Sequence, residues 1–242
     1  MPRFVELWIY LSASPLFGLT ATLVVYLLAQ AAYTRLDNAP WANPVLWSVL
    51  ALAGGLIATG VDYPTYFAGA QFIHFLLGPA VVALAWPLWQ RRAELRARLG
   101  RVLLAALLGG LAAGGSAVLL GWAVELPHEV VMSLAPKSVT APVAMGIAEK
   151  IGGIPALSAV FAVLTGLIGA LSGKYLFDFL RIATTPAGWA ARGFALGTAA
   201  HGIGAARALQ VHPDAGAYAG IALGLQVLLS SLLMPYLMRW VL

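Results

Sequence analysis

Two short segments put a cation, hydroxyls, an imidazole and helix breakers into otherwise apolar sequence. They are Pro136-Lys137-Ser138-Val139-Thr140-Ala141-Pro142 and Gly197-Thr198-Ala199-Ala200-His201-Gly202-Ile203-Gly204. An ionisable group at membrane depth is costly and persists there only if it is paired, solvated or used. Lys137 is the stronger signal. Pro136 and Pro142 bracket it and interrupt the helical hydrogen-bond ladder. The break leaves unpaired amides at the start of a half-helix predicted over 139–148, where the helix dipole favours a negative group. Ser138 and Thr140 add hydroxyl donors, and the whole set suits a carboxylate. The alternative is a Lys137 that snorkels to the interface or pairs with Glu129 or Glu149. In the second segment Thr198 supplies a hydroxyl and the glycines around Gly202 let an unwound backbone approach a ligand. His201 can donate a hydrogen bond or carry a coupled proton, although a lone histidine is more often a satisfied packing residue.

The candidate substrate-binding residues are therefore Lys137, Ser138, Thr140, Thr198, His201 and Gly202. Gln71, His74, Glu149 and Arg207 are candidate coupling or gating positions. A helix–helix hydrogen bond accounts for Gln71 and His74 at least as well, and solvated helix ends account for Glu149 and Arg207. Gly78-Pro79 is expected to kink the helix that carries Gln71 and His74. The chain has no Walker loop, dinucleotide fingerprint, HExxH or nucleophile elbow, so an enzyme is not expected and no cofactor or metal is implied. With no cysteine, disulfides and thiol chemistry are excluded.

The elements that must position these residues follow from composition. The chain has 242 residues, 61% hydrophobic and 10% charged. A soluble domain carries roughly 25% charged residues, so this is a polytopic membrane protein embedded in a lipid bilayer. The net charge of +5 does not by itself argue for nucleic acid, because five of the fourteen basic residues (Arg91, Arg92, Arg96, Arg98, Arg101) sit in one short stretch. That stretch reads as a cytoplasmic loop. A spanning helix needs about 20 apolar residues. Six uncharged runs satisfy this, of 28, 24, 28, 23, 23 and 24 residues, bounded by Glu6–Arg35, Asp37–Asp62, Asp62–Arg91, Arg101–Glu125, Lys150–Lys174 and Asp214–Arg239. The first is expected to be an uncleaved span rather than a signal peptide. The two polar segments are too short and too broken to be simple spans, which is the pattern of broken or re-entrant helices.

The expected fold is thus all-α, with six full transmembrane helices plus two broken or re-entrant segments. Sliding the sequence by 58 residues pairs Thr140 with Thr198, Gly146 with Gly204 and Pro155 with Pro213. This points to an inverted repeat of the transporter type, against compositional coincidence. Residues 1–242 form one domain on this reading, with N-terminal helices over 1–127 and a substrate-site region over 128–242. The repeat copies are 128–180 and 186–242. The arginine-rich loop is expected to be cytoplasmic and the Glu125–Glu129 turn on the opposite side, with Arg3 against the trend. Lys174, Arg181 and Arg192 are cytoplasmic only if neither short segment crosses, and that arrangement is preferred to eight crossings. Gly110/Gly114, Gly169/Gly173 and Gly220/Gly224 permit close helix packing within the subunit, with a homo-oligomer interface as the alternative.

Several runs resemble the LrgB/CidB family. They include Pro15-Leu16-Phe17-Gly18-Leu19-Thr20, the stretch from Gly69 to Ala80, Pro136 to Pro142, Ile151 to Pro155 and Gly197 to Leu209. The resemblance covers about residues 15 to 240. It implies a multi-pass protein of the bacterial inner membrane with a small LrgA/CidA-like membrane partner. Bacterial members are described as antiholin-like and linked to murein hydrolase activity and lysis. The plastid relative looks like an LrgA–LrgB fusion that carries glycolate and glycerate, and bacterial relatives are associated with pyruvate and other short acids. The residues themselves favour an ion-coupled carrier of a small organic anion over a non-transporting regulator.

Overall fold

The computed structural model describes residues 16–76, 79, 82, 85–90 and 92–241, and every element assigned among them is helical. They divide into two compact units between Ala83 and Leu84.

In the first unit, helix α1 (Leu16–Arg35) is followed by a 3-10 turn (Pro40–Ala42), α2 (Pro44–Thr59) and α3 (Tyr63–Phe75). The 24-residue run between Asp37 and Asp62 yields only 16 residues in α2. At 1.5 Å per residue that helix is about 24 Å long. The start is late because Asn43 caps it, accepting from Val45 N at 2.9 Å and Leu46 N at 3.2 Å, with Pro44 in the first turn. Gly60, at φ 67°, ends it in the left-handed region. The Thr22 and Tyr66 hydroxyls bond at 2.7 Å where α1 meets α3. The sequence-predicted kink at Gly78-Pro79 lies outside the described residues.

The second unit holds α4 (Ala85–Gln90), α5 (Arg92–Ala123), α6 (His128–Leu134), α7 (Ala141–Lys150), α8 (Pro155–Phe179), α9 (Pro186–Val211) and α10 (Pro213–Val241). Arg92, Arg96, Arg98 and Arg101 are helical, in the first turns of α5, rather than in a loop. Residues 92 to 101 contain no proline and, apart from Gly100, are Ala, Leu, Glu and Arg, which are strong helix formers. Among the described residues, four helices are long and apolar enough to cross a membrane: Leu16–Arg35, Arg96–Ala123, Pro155–Phe179 and Pro213–Arg239.

Both polar segments are hairpins. After α7 the chain returns to the last turn of α6, where Ile154 N donates to Ser133 Oγ at 2.7 Å. Helix α7 begins at Ala141 rather than Val139, because Pro142 is compatible only with the first turn. In α9 the backbone leaves helical geometry at Ala200 (φ −116°, ψ 15°) and His201 (φ 41°, ψ −133°). The direction reverses there. A Cβ placed on Gly204 would lie 2.7 Å from Leu196 O. Eight residues of straight helix would separate the two by about 12 Å. Trp189, near the start of α9, stacks on His212, just past its end, with ring centroids 4.9 Å apart. Residues 186–199 and 202–211 are therefore two antiparallel arms with their turn at His201.

The hairpins are packed by small residues. Val131, Met132, Ala135, Val139, Ala144 and Ile147 bury the first against Val118 of α5 and Ala162 of α8. The second packs on α10 through Ala205, Ala208, Ala215, Ala219 and Leu223. Of the Gly-x-x-x-Gly pairs, Gly110 faces Gln226, Gly114 faces Ala135, Gly169 faces Ala200 and Gly173 faces Leu196, all within the subunit. The elements also keep the sequence offset. Helices α6 and α9 start at His128 and Pro186, and α8 and α10 start at Pro155 and Pro213, each pair 58 residues apart.

Gly197 shows how tight this contact is, since a Cβ there would lie 2.1 Å from Ala219 O. Backbone cannot yield as a side chain can, so Gly197→Val should destabilise the protein by at least about 2 kcal/mol. A clear fall in the thermal midpoint of detergent-purified protein is the expected result. Gly55→Val is the control, because a Cβ on Gly55 meets nothing within 4 Å. Equal midpoints for the two variants would refute the packing described here.

Candidate functional site

The turn of each hairpin carries the polar residues singled out by sequence. In the first, Lys137 follows α6 and is half-buried, with Nζ 3.4 Å from Ser138 Oγ. Among the described residues no carboxylate forms an ion pair with it, and Glu129 and Glu149 are both exposed. The pairing alternative therefore does not hold. Ser138 is buried at 7% exposure. Thr140 occupies the N-cap position of α7, yet its side chain makes no cap hydrogen bond. The Thr140 carbonyl accepts from Ala144 N at 2.9 Å, the first bond of the α7 ladder. Pro142 brings no amide, so the amides of Ala141 and Val143 lie ahead of that ladder, at the positive end of the helix.

In the second hairpin Thr198 is buried, and its hydroxyl oxygen has no hydrogen-bond partner among the described residues. An orphaned buried hydroxyl costs about 1–3 kcal/mol, so such a group calls for a partner from outside the chain. His201 is 4% exposed, and its Nε2 lies 2.7 Å from Ala162 O on α8. A carbonyl only accepts, so Nε2 carries the proton and donates. The backbone of His201, at φ 41°, lies where a non-glycine residue is strained by about 1–3 kcal/mol. That strain persists because the arms on either side are packed and the imidazole is held by α8.

The two turns meet. A Cβ placed on Gly202 would lie 3.9 Å from the Thr140 methyl carbon. The Lys137 ammonium is close enough to act on His201 electrostatically. The residue set directly against Thr140 is thus Gly202. Thr198 faces a different neighbour, with its methyl carbon 2.8 Å from where a Gly109 Cβ would sit. These contacts fix the depth of the meeting point. Gly109 is at the middle of the Arg96–Ala123 span, and Ala162 is the eighth of 25 residues in α8. Lys137, Ser138 and Thr140 therefore lie on the first turn, His201 and Gly202 at the second and Thr198 on the arm before it, beside points between one third and one half of the way along the neighbouring spans. A cation, hydroxyls and half-helix amides converging at that depth can receive a carboxylate from several sides.

The other candidates fall elsewhere. Gln71 is exposed and donates to Ala68 O of its own helix at 2.7 Å. The side chain of His74 lies outside the described residues. Glu149 is exposed in the last turn of α7, whereas Arg207 is buried on the second arm of α9. Among the described residues no three of His, Asp or Glu converge as a metal site would require.

Gln226 went unnoticed in the sequence, and Arg192 was read there only as a marker of topology. Gln226, 2% exposed, donates to Ala106 O at 2.5 Å and ties α10 to α5. Arg192 bonds Ile182 O and pairs with Asp178 Oδ1 at 2.9 Å, clasping the end of α8 to the start of α9. A lone glutamine in an apolar run is a signal for the first. The second lies at a span end, where basic residues are common.

Comparison with known proteins agrees with this architecture. Residues 22–240 match the LrgB-like family. The holin-like protein CidB of Staphylococcus aureus is 31% identical over 217 residues, 89% of this chain and 92% of that protein. The Bacillus subtilis protein YwbG is 32% identical over 223 residues, 92% of this chain and 97% of its own length. No solved structure matches the chain. A family match over nearly the whole length, joined to an all-helical membrane architecture, establishes that the chain belongs to the LrgB-like family.

Proposed function

We propose that this protein is a carrier of small organic acid anions of the glycolate, glycerate, lactate or pyruvate class in the bacterial inner membrane. Transport is ion-coupled and works with a small LrgA-like membrane partner. One observation carries the reading: Lys137, without a carboxylate partner among the described residues, stands where two interrupted helices meet between one third and one half of the way along the neighbouring spans. An ammonium in that position is matched by an anion that comes and goes. Ser138, Thr140, Thr198, His201 and the Gly202 backbone complete the binding set, and Arg207, on the return arm, is a gating position.

The wider reading is an inverted repeat of two hairpin-plus-span units, 128–180 and 186–242, within a single LrgB-like domain. Three contacts support it. The arms of each hairpin return to their starting side, the helix starts keep the 58-residue offset, and Ala190 shares a cavity with Arg98 and Arg101. The second hairpin then enters from the arginine side. The first enters from the opposite side, where Lys150 and Arg239 share another cavity. Six full crossings and two re-entrant hairpins satisfy this arrangement and keep Arg181 and Arg192 cytoplasmic.

Reconstitution tests the function directly. Proteoliposomes, tested with and without the LrgA-like partner, should accumulate labelled glycolate, lactate or pyruvate above empty vesicles. No uptake of any of the three under either condition would sink the carrier reading. Topology gives a second test, because the chain lacks cysteine. Single cysteines at Ala97 and Ala183 should resist an impermeant external thiol reagent in intact cells, while one at Leu126 should react. Labelling at Ala183 but not Ala97 would refute the re-entrant second hairpin.

The name holin-like protein given to the CidB relatives favours a second reading, a non-transporting regulator of murein hydrolase activity and lysis that acts by assembly. Such a protein does not need Lys137 at depth. A phenotype carried by a Lys137 variant that still assembles would therefore separate the two.

A further inference from the structure

A cavity of about 580 Å³, open along one side where Ala105, Ala191, Ala195 and Ala199 are exposed, runs along the second unit between α5, the first arm of α9 and α10. Arg98 and Arg101 line one end, and Gly109, Thr198 and Ala199 line the other. Eleven residues of helix separate Arg98 from Gly109, about 16 Å at 1.5 Å per residue. That is close to half of a ~30 Å hydrocarbon core. The wall between the ends is Val102, Ala105, Ala195 and the Phe194 ring. The cavity thus begins at two guanidiniums and ends beside the residue whose buried hydroxyl lacks a partner among the described residues.

We propose that this cavity is an anion vestibule, a half-channel through which a carboxylate passes from the arginine side of the membrane to the meeting point of the hairpins. The assignment rests on the carrier reading and adds its route and its selecting residues. Arg98 and Arg101 form the collecting end. A cleft lined by one sign of charge and walled by apolar groups raises the local concentration of counter-ions. Guanidinium is suited to this task, being always charged, weakly hydrated and able to bind a carboxylate through two donors. The volume fits small-molecule sites of about 300–1,000 Å³, and it is several times what a two- or three-carbon acid needs. At the inner end the methyl of Thr198 abuts α5 at Gly109, so a side chain at residue 109 would press on Thr198 itself. Among the described residues of the second unit, two other cavities share no lining residue with the vestibule: one is small and apolar beside Gln226, and the other lies at Lys150 and Arg239.

Two measurements test the vestibule. In the cysteine-free background, Ala195→Cys should react about tenfold faster with an anionic methanethiosulfonate reagent than with a cationic one of similar size. Adding Arg98→Gln and Arg101→Gln should remove that preference, and glycolate or pyruvate should slow the reaction. In vesicles with the arginine end facing outward, the same double substitution should raise the KM for the labelled acid about tenfold at low salt. Maximal uptake should change by less than twofold, and the KM difference should close at high ionic strength, where exposed charges are screened. An Ala195→Cys thiol that is unreactive, or equally reactive with both reagents, overturns the vestibule even in a protein that transports. If wild-type vesicles take up no acid although Ala195→Cys shows the anionic preference, the carrier reading falls and the vestibule falls with it as a transport route.

Discussion

Alanine in place of Lys137 should cut carboxylate uptake by about a hundredfold or more while the protein still inserts, folds and purifies normally. Removing one member of a hydrogen-bonded charge pair at a desolvated site costs about 2–5 kcal/mol, and each 1.4 kcal/mol is a factor of ten. The loss should not be a folding defect. Lys137 has no carboxylate partner among the described residues, so its removal lifts a desolvation cost and leaves no buried anion behind. The thermal midpoint of Lys137→Ala should equal or exceed that of the parent. Lys137→Arg should also transport poorly, by about tenfold, since a planar fork cannot take the place of a compact ammonium 3.4 Å from Ser138 Oγ. Because Lys137 and His201 act on each other, their substitutions should be non-additive in uptake. Parental uptake by Lys137→Ala at matched protein levels would overturn the binding site.

Joining the two hairpin turns covalently should arrest the protein. A Gly202 Cβ would stand 3.9 Å from Thr140 Cγ2, with Thr140 Cβ beyond 4 Å, so thiols at the two positions lie close enough for a small shift of the turns to bring them to disulfide geometry. The double variant Thr140→Cys/Gly202→Cys should cross-link under mild oxidation and lose nearly all uptake, and reductant should restore it. Each single variant, whatever its own starting rate, should be insensitive to the same oxidant. The reason is mechanical: a site that opens to alternate sides must let its two broken helices separate or slide. Saturating glycolate or pyruvate should slow cross-linking by occupying the gap. A pair that never cross-links would refute the contact between the turns. A cross-linked protein that transports normally would show that the turns do not move relative to each other.

How much of this was legible in the sequence differs by residue. Charge-free runs located the helices at Leu16–Arg35, Arg96–Ala123, Pro155–Phe179 and Pro213–Arg239, because hydrocarbon rejects charge and length is fixed by bilayer thickness. The prolines and glycines located both breaks to within a few residues, at 135–140 and at Ala200 and His201. Those signals are local, and the physics behind them is local. The sequence was weaker at Arg92 to Arg101, where a cluster of charges read as a loop and is the start of α5. Charge density marks an aqueous environment, not an irregular backbone. The repeat aligns Thr140 with Thr198, but the residue packed against Thr140 is Gly202.

By itself, then, the sequence determined the membrane class, the family resemblance, the breaks in two helices and the types of residue available for an anion. Tertiary structure alone decided that α9 turns back at His201, that the two turns touch, that Lys137 lacks a carboxylate among the described residues and that Thr198 ends a cavity begun by Arg98 and Arg101. The physical reason is range. Helix propensity and hydrophobic length act over a few turns of chain, while the direction of a helix after a break is set by what its arms pack against. Here that packing is glycine and alanine against backbone, which leaves little trace in composition and fixes the position of every polar group.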